Sequence, residues 1–266
     1  MHDLSGAPTT RVEVPQSVAA LSAGWMLNPV WVNELGGITF EMKRSADRRF
    51  LKWAPAGSGV DLHQEAERCR WAAGLLSVPY VLQEGRDDAG TWLITAAIPG
   101  DSAVSERWKG EPATAARAIG QSLRQLHDTL PVEGCPFTWS VEERTRRAHI
   151  IRSETERLAW PAYYDLDLTV EAAFSEVASA PPIDKLVVCH GDPCVPNTLL
   201  APNGAATGMV DLGSLGVADR WADLAVATWS TVWNYGPGFE DVLLDAYGIS
   251  PDPVRTRYYR LLWAIS

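Results

Sequence analysis

A chain of 266 residues, 46% apolar and 21% charged, has room for one large domain or two lobes and the composition of a folded globular protein. Its formal net charge of −10 argues against a nucleic-acid partner, whose phosphates require a basic surface, and no apolar run approaches the roughly 18 residues of a membrane span. The start MHDLSGAPTT lacks a secretory pattern, and Cys69, Cys135, Cys189 and Cys194 form no CxxC pair and accompany no zinc-spaced histidines, so free thiols in a cytoplasmic protein are expected.

In chain order, Trp25 to Leu35 and Ile38 to Lys43 read as two strands joined through Gly36-Gly37, and Arg49 to Trp53 as a third. Residues 61–76 carry Leu62, Ala66, Cys69, Ala73 and Leu76 at three- and four-residue steps, a helix with one apolar face. Val78 to Gln83 and Thr91 to Ala97 add two strands, and Pro99-Gly100 punctuates the chain there. Beyond it the pattern turns helical, over Thr114 to Leu130, residues 140–158 and 168–179, Trp221 to Val232 and Asp252 to Trp263. Leu186 to Cys189 and Gly208 to Asp211 are short strands. The expected fold class is α+β and bilobal: a small antiparallel-sheet N-lobe over 1–97 and a mainly helical C-lobe over 98–266.

The informative text is Val187-Val-Cys-His-Gly-Asp-Pro-Cys-Val-Pro-Asn197, followed by Val210-Asp-Leu-Gly213. Each half is a short strand running into a polar loop. Asp192 and Asn197 stand five apart, and Asp211 follows on the next strand. Phosphoryl transfer needs positioning and charge neutralisation: a carboxylate to take the acceptor hydroxyl's proton, and oxygen ligands for Mg²⁺ on the triphosphate. Asp192, Asn197 and Asp211 supply that set, in the order and short spacing of the protein-kinase pattern, with His-Gly-Asp for His-Arg-Asp. The competing reading, two Asx-rich turns, leaves the other parts unexplained. Those parts are Lys52 on the third strand and Glu65 on the following helix, placed as a phosphate-contacting lysine and its glutamate partner would be, with Glu67 nearby but leaning to solvent. The Glu34-Leu-Gly-Gly-Ile-Thr39 turn would cover phosphates through the N–H groups of Gly36 and Gly37 and the Thr39 hydroxyl. Taken alone it is a weak signal, equally a hairpin turn. Thr95-Ala-Ala97 is the expected hinge, with backbone groups of Ala96 and Ala97 facing adenine. No GxxxxGK[ST] exists, which excludes a P-loop enzyme.

These residues resemble the aminoglycoside phosphotransferase family, antibiotic kinases with a protein-kinase-like bilobal fold. The matching text is VCHGDPCVPNT (188–198) and VDLGSLGVADRWADLA (210–225), supported by LHDTLPVEGCPF (126–137) and ITAAIPG (94–100), and the likeness runs from about residue 30. The resemblance implies Asp192 as catalytic base, Asn197 and Asp211 as metal ligands, Lys52 and Glu65 as the nucleotide-side pair, and ATP or GTP with Mg²⁺ as cofactors. It implies a loop-supporting role for His190 and a brace of the catalytic loop for Asp223. For Arg220 it implies a place near the transferring phosphate, a surface salt bridge being the alternative.

Two departures bear on the acceptor. Kanamycin-type members end in an Asp-Glu pair and an aromatic, where this chain has Leu262-Trp-Ala-Ile-Ser266; of the mid-chain acidic cluster only Asp165 and Asp167 remain, among Trp160, Tyr163 and Tyr164. HGDPC and LPVEGCPF look more like the branch that phosphorylates the 3'' hydroxyl of streptomycin. Trp233 to Gly238 could line the acceptor pocket or simply pack. The charge is uneven: residues 1–97 hold 9 Lys+Arg against 11 Asp+Glu, and residues 98–266 hold 14 against 22. That imbalance favours a cationic small-molecule acceptor on the second part, or serves solubility alone. The expected activity is therefore antibiotic phosphorylation conferring resistance. A metabolite kinase or a non-catalytic kinase-like binding protein stands as the rival, and the oligomeric state is unknown.

Overall fold

The computed structural model describes residues 6–154, 160–161, 164 and 166–266. The chain divides into two compact units, Met1–Ile98 and Pro99–Ser266. In the first unit the elements are α1 (Gln16–Leu21), β1 (Met26–Val32), β2 (Ile38–Arg44), β3 (Asp47–Pro55), α2 (Leu62–Ala72), β4 (Val81–Arg86) and β5 (Gly90–Ala96). The strands form one antiparallel sheet in the order β1-β2-β3-β5-β4. Strand alternation sorts the side chains. Phe40, Leu51 and Ile94 pair across β2, β3 and β5 and are buried with Val18 and Met42 on one face. The neighbouring row, Thr39, Lys52 and Leu93, points to the other face, where Leu93 packs with Ala54 and with Leu62 and Ala66 of α2. α2 begins where Asp61 accepts the His63 and Gln64 amides, an N-cap that sets its start. α1 lies outside the expected elements: six residues with Val18 as the one buried side chain are too short to show a period.

The second unit opens with β6 (Asp101–Ser102), α3 (Glu106–Lys109), α4 (Pro112–Thr129), α5 (Val141–Glu154) and α6 (Val170–Val177). It continues through β7 (Leu186–Cys189), β8 (Thr198–Leu200), β9 (Ala206–Met209), β10 (Gly216–Asp219), α7 (Trp221–Tyr235), α8 (Glu240–Tyr247) and α9 (Pro253–Ile265). α7 is buried from Trp221 through Thr231 on every side, so it runs through the interior with α9 against it. α4 and α8 approach closely at Gly120, where a Cβ would stand 2.2 Å from the Leu243 carbonyl oxygen. Two small sheets, β7 with β10 and β6-β8-β9, carry the polar loops. β10 and α8 were not legible as elements. The expected strand over Gly208 to Asp211 is corrected: β9 ends at Met209, and Asp211 sits beyond it with φ 67°, a left-handed backbone that no strand accommodates. Of the mid-chain acidic segment, Asp165 and Tyr163 lie outside the described residues, and Asp167 is exposed. No helix among the described residues is long and apolar enough to cross a membrane.

Candidate active site

β7 delivers the chain into His190-Gly-Asp-Pro-Cys, and a single 3₁₀ turn over Val195–Asn197 brings Asn197 back onto Asp192. The Asn197 Nδ2 donates to the Asp192 carbonyl at 2.9 Å and to Asp192 Oδ2 at 3.3 Å. With its nitrogen committed, the amide presents its oxygen to the other side. Asp192 itself is only partly exposed. Its Oδ1 is buried with no hydrogen-bond partner among the described residues, while the carboxylate takes that long Asn197 bond and a weak one from the Cys194 thiol. A carboxylate so short of donors is the kind of unsatisfied buried group that marks a reacting or cation-binding position. Burial, and then the nearby Asp211 charge, push the Asp192 carboxyl above the ordinary carboxylate value. Burial, and then the Asp192 charge, push the neighbouring Cys194 thiol well up, so it stays protonated beside the carboxylate.

The loop is held from behind by a buried polar network. Asp223, on the first turn of α7, accepts the His190 amide at 2.6 Å on Oδ2 and the Gly191 amide at 2.9 Å on Oδ1. His127 of α4 donates through Nε2 to Asp223 Oδ2 at 3.0 Å while its Nδ1 accepts from the Tyr247 hydroxyl at 2.9 Å. Burial opposes the Asp223 charge, yet the hydrogen bonds from His127 and the Gly191 amide outweigh it and hold the carboxyl below its ordinary value. His190 donates from Nε2 to the Val210 carbonyl at 3.0 Å and accepts the Asp192 amide on Nδ1 at 3.3 Å, so it ties the two polar loops together. The Val210 amide returns to the Asn197 carbonyl at 2.9 Å, and the Ser230 hydroxyl of α7 accepts the Val195 amide at 3.0 Å. Asp192, Asn197 and Asp211 are thereby gathered on two cross-linked loops. Two carboxylates and an amide oxygen form an all-oxygen donor set of the kind Mg²⁺ prefers. His127, Cys189 and Asp223 also bring ligand atoms within 4.8 Å of one another, but hydrogen bonds already engage all three, which makes them a brace.

Arg220 is placed by its salt bridge: Nε lies 2.6 Å from Asp184 Oδ2, which also accepts the Trp221 indole N–H. Of the two roles expected for it, the structure shows the ion pair.

In the first unit, Lys52 Nζ lies 2.7 Å from Glu65 Oε1, with Glu65 buried on α2 and Lys52 projecting from β3 beside Thr39. Glu67 is exposed and turned to His63. At the expected nucleotide-side turn and hinge the amides are engaged within the unit. The Gly36 amide donates to the Asn33 carbonyl at 3.1 Å and the Gly37 amide to Asn33 Oδ1 at 2.7 Å. A Cβ at position 37 would stand 2.5 Å from Asn33 Nδ2, so a larger residue there would displace the side chain whose Oδ1 holds the Gly37 amide. The Ala96 and Ala97 amides likewise donate to the Tyr80 and Arg48 carbonyls, at 2.9 and 3.1 Å. Sheet closure uses both N–H groups and leaves only carbonyls from that pair for a base.

The family described as Phosphotransferase enzyme family matches residues 35–259. An aminoglycoside 3'-phosphotransferase of Streptomyces fradiae is 35% identical over 225 residues, 79% of this chain and 81% of that relative. The streptomycin 3''-kinase of Streptomyces griseus is 35% identical over 250 residues, covering 86% and 88%. The chain belongs to the phosphotransferase enzyme family. Among solved structures, the aminoglycoside-3'-phosphotransferase of type VIII superposes with a TM-score of 0.81 at 28% identity, covering 95% of this chain and 99% of that one. This phosphotransferase is thus an ATP-dependent O-phosphotransferase of kinase-like α+β fold. His127 and Ser230 are the functional neighbours the sequence reading missed. His127 stands in the quoted LHDTL text, and its spacing from Asp223 carries no period that would link them.

Proposed function

We propose that this phosphotransferase moves the γ-phosphoryl group of ATP onto a hydroxyl of a cationic aminoglycoside, with a streptomycin-type acceptor favoured, and so confers resistance in the cytoplasm. The observation that carries it is Asp192: an under-hydrogen-bonded carboxylate, raised in pKa, on a loop that α7 pins through backbone amides. Its geometry suits a group that must accept a proton from a hydroxyl rather than one that merely packs.

In this reading Asp192 orients the acceptor hydroxyl and takes its proton as the oxygen attacks. Asn197 and Asp211 would hold Mg²⁺, which when bound supplies charge neutralisation on the triphosphate oxygens. Lys52, kept in place by Glu65, supplies positive charge to the nucleotide phosphates, with the Thr39 hydroxyl on the same sheet face. His190 keeps the two loops in register. Residues 1–97 form the nucleotide-binding lobe and residues 98–266 the catalytic and acceptor lobe. The streptomycin preference rests on the streptomycin 3''-kinase likeness and on the HGDPC and LPVEGCPF text. The TM-score of 0.81 to a 3'-phosphotransferase favours a second reading, an acceptor of the kanamycin type.

Coupled nucleotide-turnover assays over streptomycin, kanamycin, hygromycin and simple amino alcohols decide the acceptor. Asp192→Asn is expected to lower kcat at least about a thousandfold on every active acceptor while ATP binding stays within a few-fold. Turnover close to that of the unmodified protein would remove Asp192 as the base, and turnover on amino alcohols alone would replace the antibiotic reading.

A further inference from the structure

Asp223 fixes the backbone of the catalytic loop through the His190 and Gly191 amides, and leaves the Asp192 side chain to be oriented by other groups. Oδ1 finds no hydrogen-bond partner among the described residues, and the Asn197 bond to Oδ2 is long at 3.3 Å. A further hydrogen bond comes from Cys194, two residues on, whose thiol meets the carboxylate. An ionised carboxylate only accepts, and the thiol keeps its proton, so the S–H donates. The Cys194 backbone is itself fixed. With φ −62° and ψ 148° it opens the 3₁₀ turn, and its carbonyl accepts the Asn197 amide at 2.9 Å.

The sulfur has a second partner, the Ser230 hydroxyl of α7. The direction of that bond follows from the donors around Ser230. Its buried Oγ accepts the Val195 amide at 3.0 Å and Asn234 Nδ2 at 3.2 Å, which fills both lone pairs and leaves the hydroxyl proton for the Cys194 sulfur. Asn234 is anchored in turn by its bond to the Ser230 carbonyl at 2.8 Å, across about one turn of the same helix. The donors therefore run one way, from Asn234 to Ser230, to Cys194, to the Asp192 carboxylate. A thiol is a weak donor, so it orients the carboxylate while leaving it the basicity that proton acceptance requires.

We propose that Cys194 is a positioning residue: its thiol, aimed by Ser230, holds the Asp192 carboxylate in the orientation that takes the proton of the acceptor hydroxyl. The inference rests on the reading of Asp192 as the base. It gives α7 two separate holds on the loop, Asp223 on the backbone and Ser230, through Cys194, on the reacting side chain. Removing the thiol leaves the Asp223 hold and the 3₁₀ turn in place, so the loss falls on the chemical step and spares binding. A serine at 194 keeps a donor at the same position and keeps the tie.

The test uses the full-length protein and two readouts. The first needs no acceptor: the S–H stretch of Cys194, isolated as the infrared difference between the unmodified protein and Cys194→Ala. Donation to a carboxylate lowers that frequency, so Asp192→Ala is expected to move the band up to the position of a free thiol. A band already at that position, or one that Asp192→Ala leaves in place, overturns the inference. The second readout is the single-turnover rate of phosphoryl transfer from MgATP to streptomycin. Cys194→Ala is expected to slow it about tenfold, the scale of one hydrogen bond, with both KM values within about threefold. Cys194→Ser should return to within about threefold of the unmodified rate. An unchanged rate in Cys194→Ala, or a loss that sits in KM and that serine does not recover, makes the thiol a packing group and overturns its positioning role. Asp192→Asn separates the two levels. Turnover retained there removes the base and this inference with it, whereas turnover lost there and kept in Cys194→Ala removes the thiol tie alone. Without turnover of streptomycin the antibiotic reading falls, and the infrared band still decides the tie.

Discussion

Gly191 stands at φ 87°, and a Cβ there would lie 2.2 Å from the Ser214 carbonyl oxygen. Both facts bear on the same loop, since the Gly191 amide is one of the two that Asp223 accepts. Gly191→Ala therefore combines a left-handed backbone penalty with a clash against backbone that cannot rotate away. A loss of about 3 kcal/mol or more in urea unfolding is expected, together with a fall in kcat of at least tenfold. A variant as stable and active as the parent would show that the loop has another low-energy path. Asn197 illustrates the opposite case, in which a side chain rather than the backbone defines the local geometry. Its nitrogen is spent on Asp192, so its oxygen is the atom left to face a ligand.

At the scale of elements, α7 sets the active loop. Its first turn supplies Asp223, its middle supplies Ser230, and its burial on all sides keeps both from moving independently of the core. α4 contributes His127 to the same network, which links two helices through one carboxylate. Because the folded Asp223 carboxyl lies below the ordinary value of 3.8, its contribution to stability is fully present above that value. That contribution is lost as pH falls through the lower, folded value. Asp223→Asn is expected to cost about 2–4 kcal/mol at pH 7, and the difference from the unmodified protein should shrink as the pH is taken from 5 towards 3. Denaturant midpoints across that range check it; a gap that stays constant with pH would mean that the charge of Asp223 is not what the brace uses.

For the whole molecule, the net charge of −10 is concentrated in the residues that follow position 97. If that field gathers cationic acceptors, raising KCl from about 0.05 to 0.5 M should increase the streptomycin KM several-fold, since the Debye length falls well below 10 Å. The Asp192→Asn protein should show the same salt dependence in binding, measured by titration calorimetry. A KM indifferent to salt would make the acidic surface a matter of solubility alone.

Much of this protein was readable in one dimension. Strand alternation and helical spacing act between near neighbours, so β1 to β5 with α2 between them, and the long helices after Gly100, follow from periodicity. Asp192, Asn197, Lys52 and Glu65 were legible for a related reason: short fixed spacings and the order of elements survive as text. The conformation of Asp211, the spent amides of Gly37, Ala96 and Ala97, and the His127 and Ser230 contacts needed the folded chain. Each depends on which backbone donor finds which acceptor, or on residues 35 to 96 positions apart meeting in space. The tie from Ser230 through Cys194 to Asp192 belongs to that second group as well, because its members come from separate stretches of chain, and only packing brings α7 against the loop.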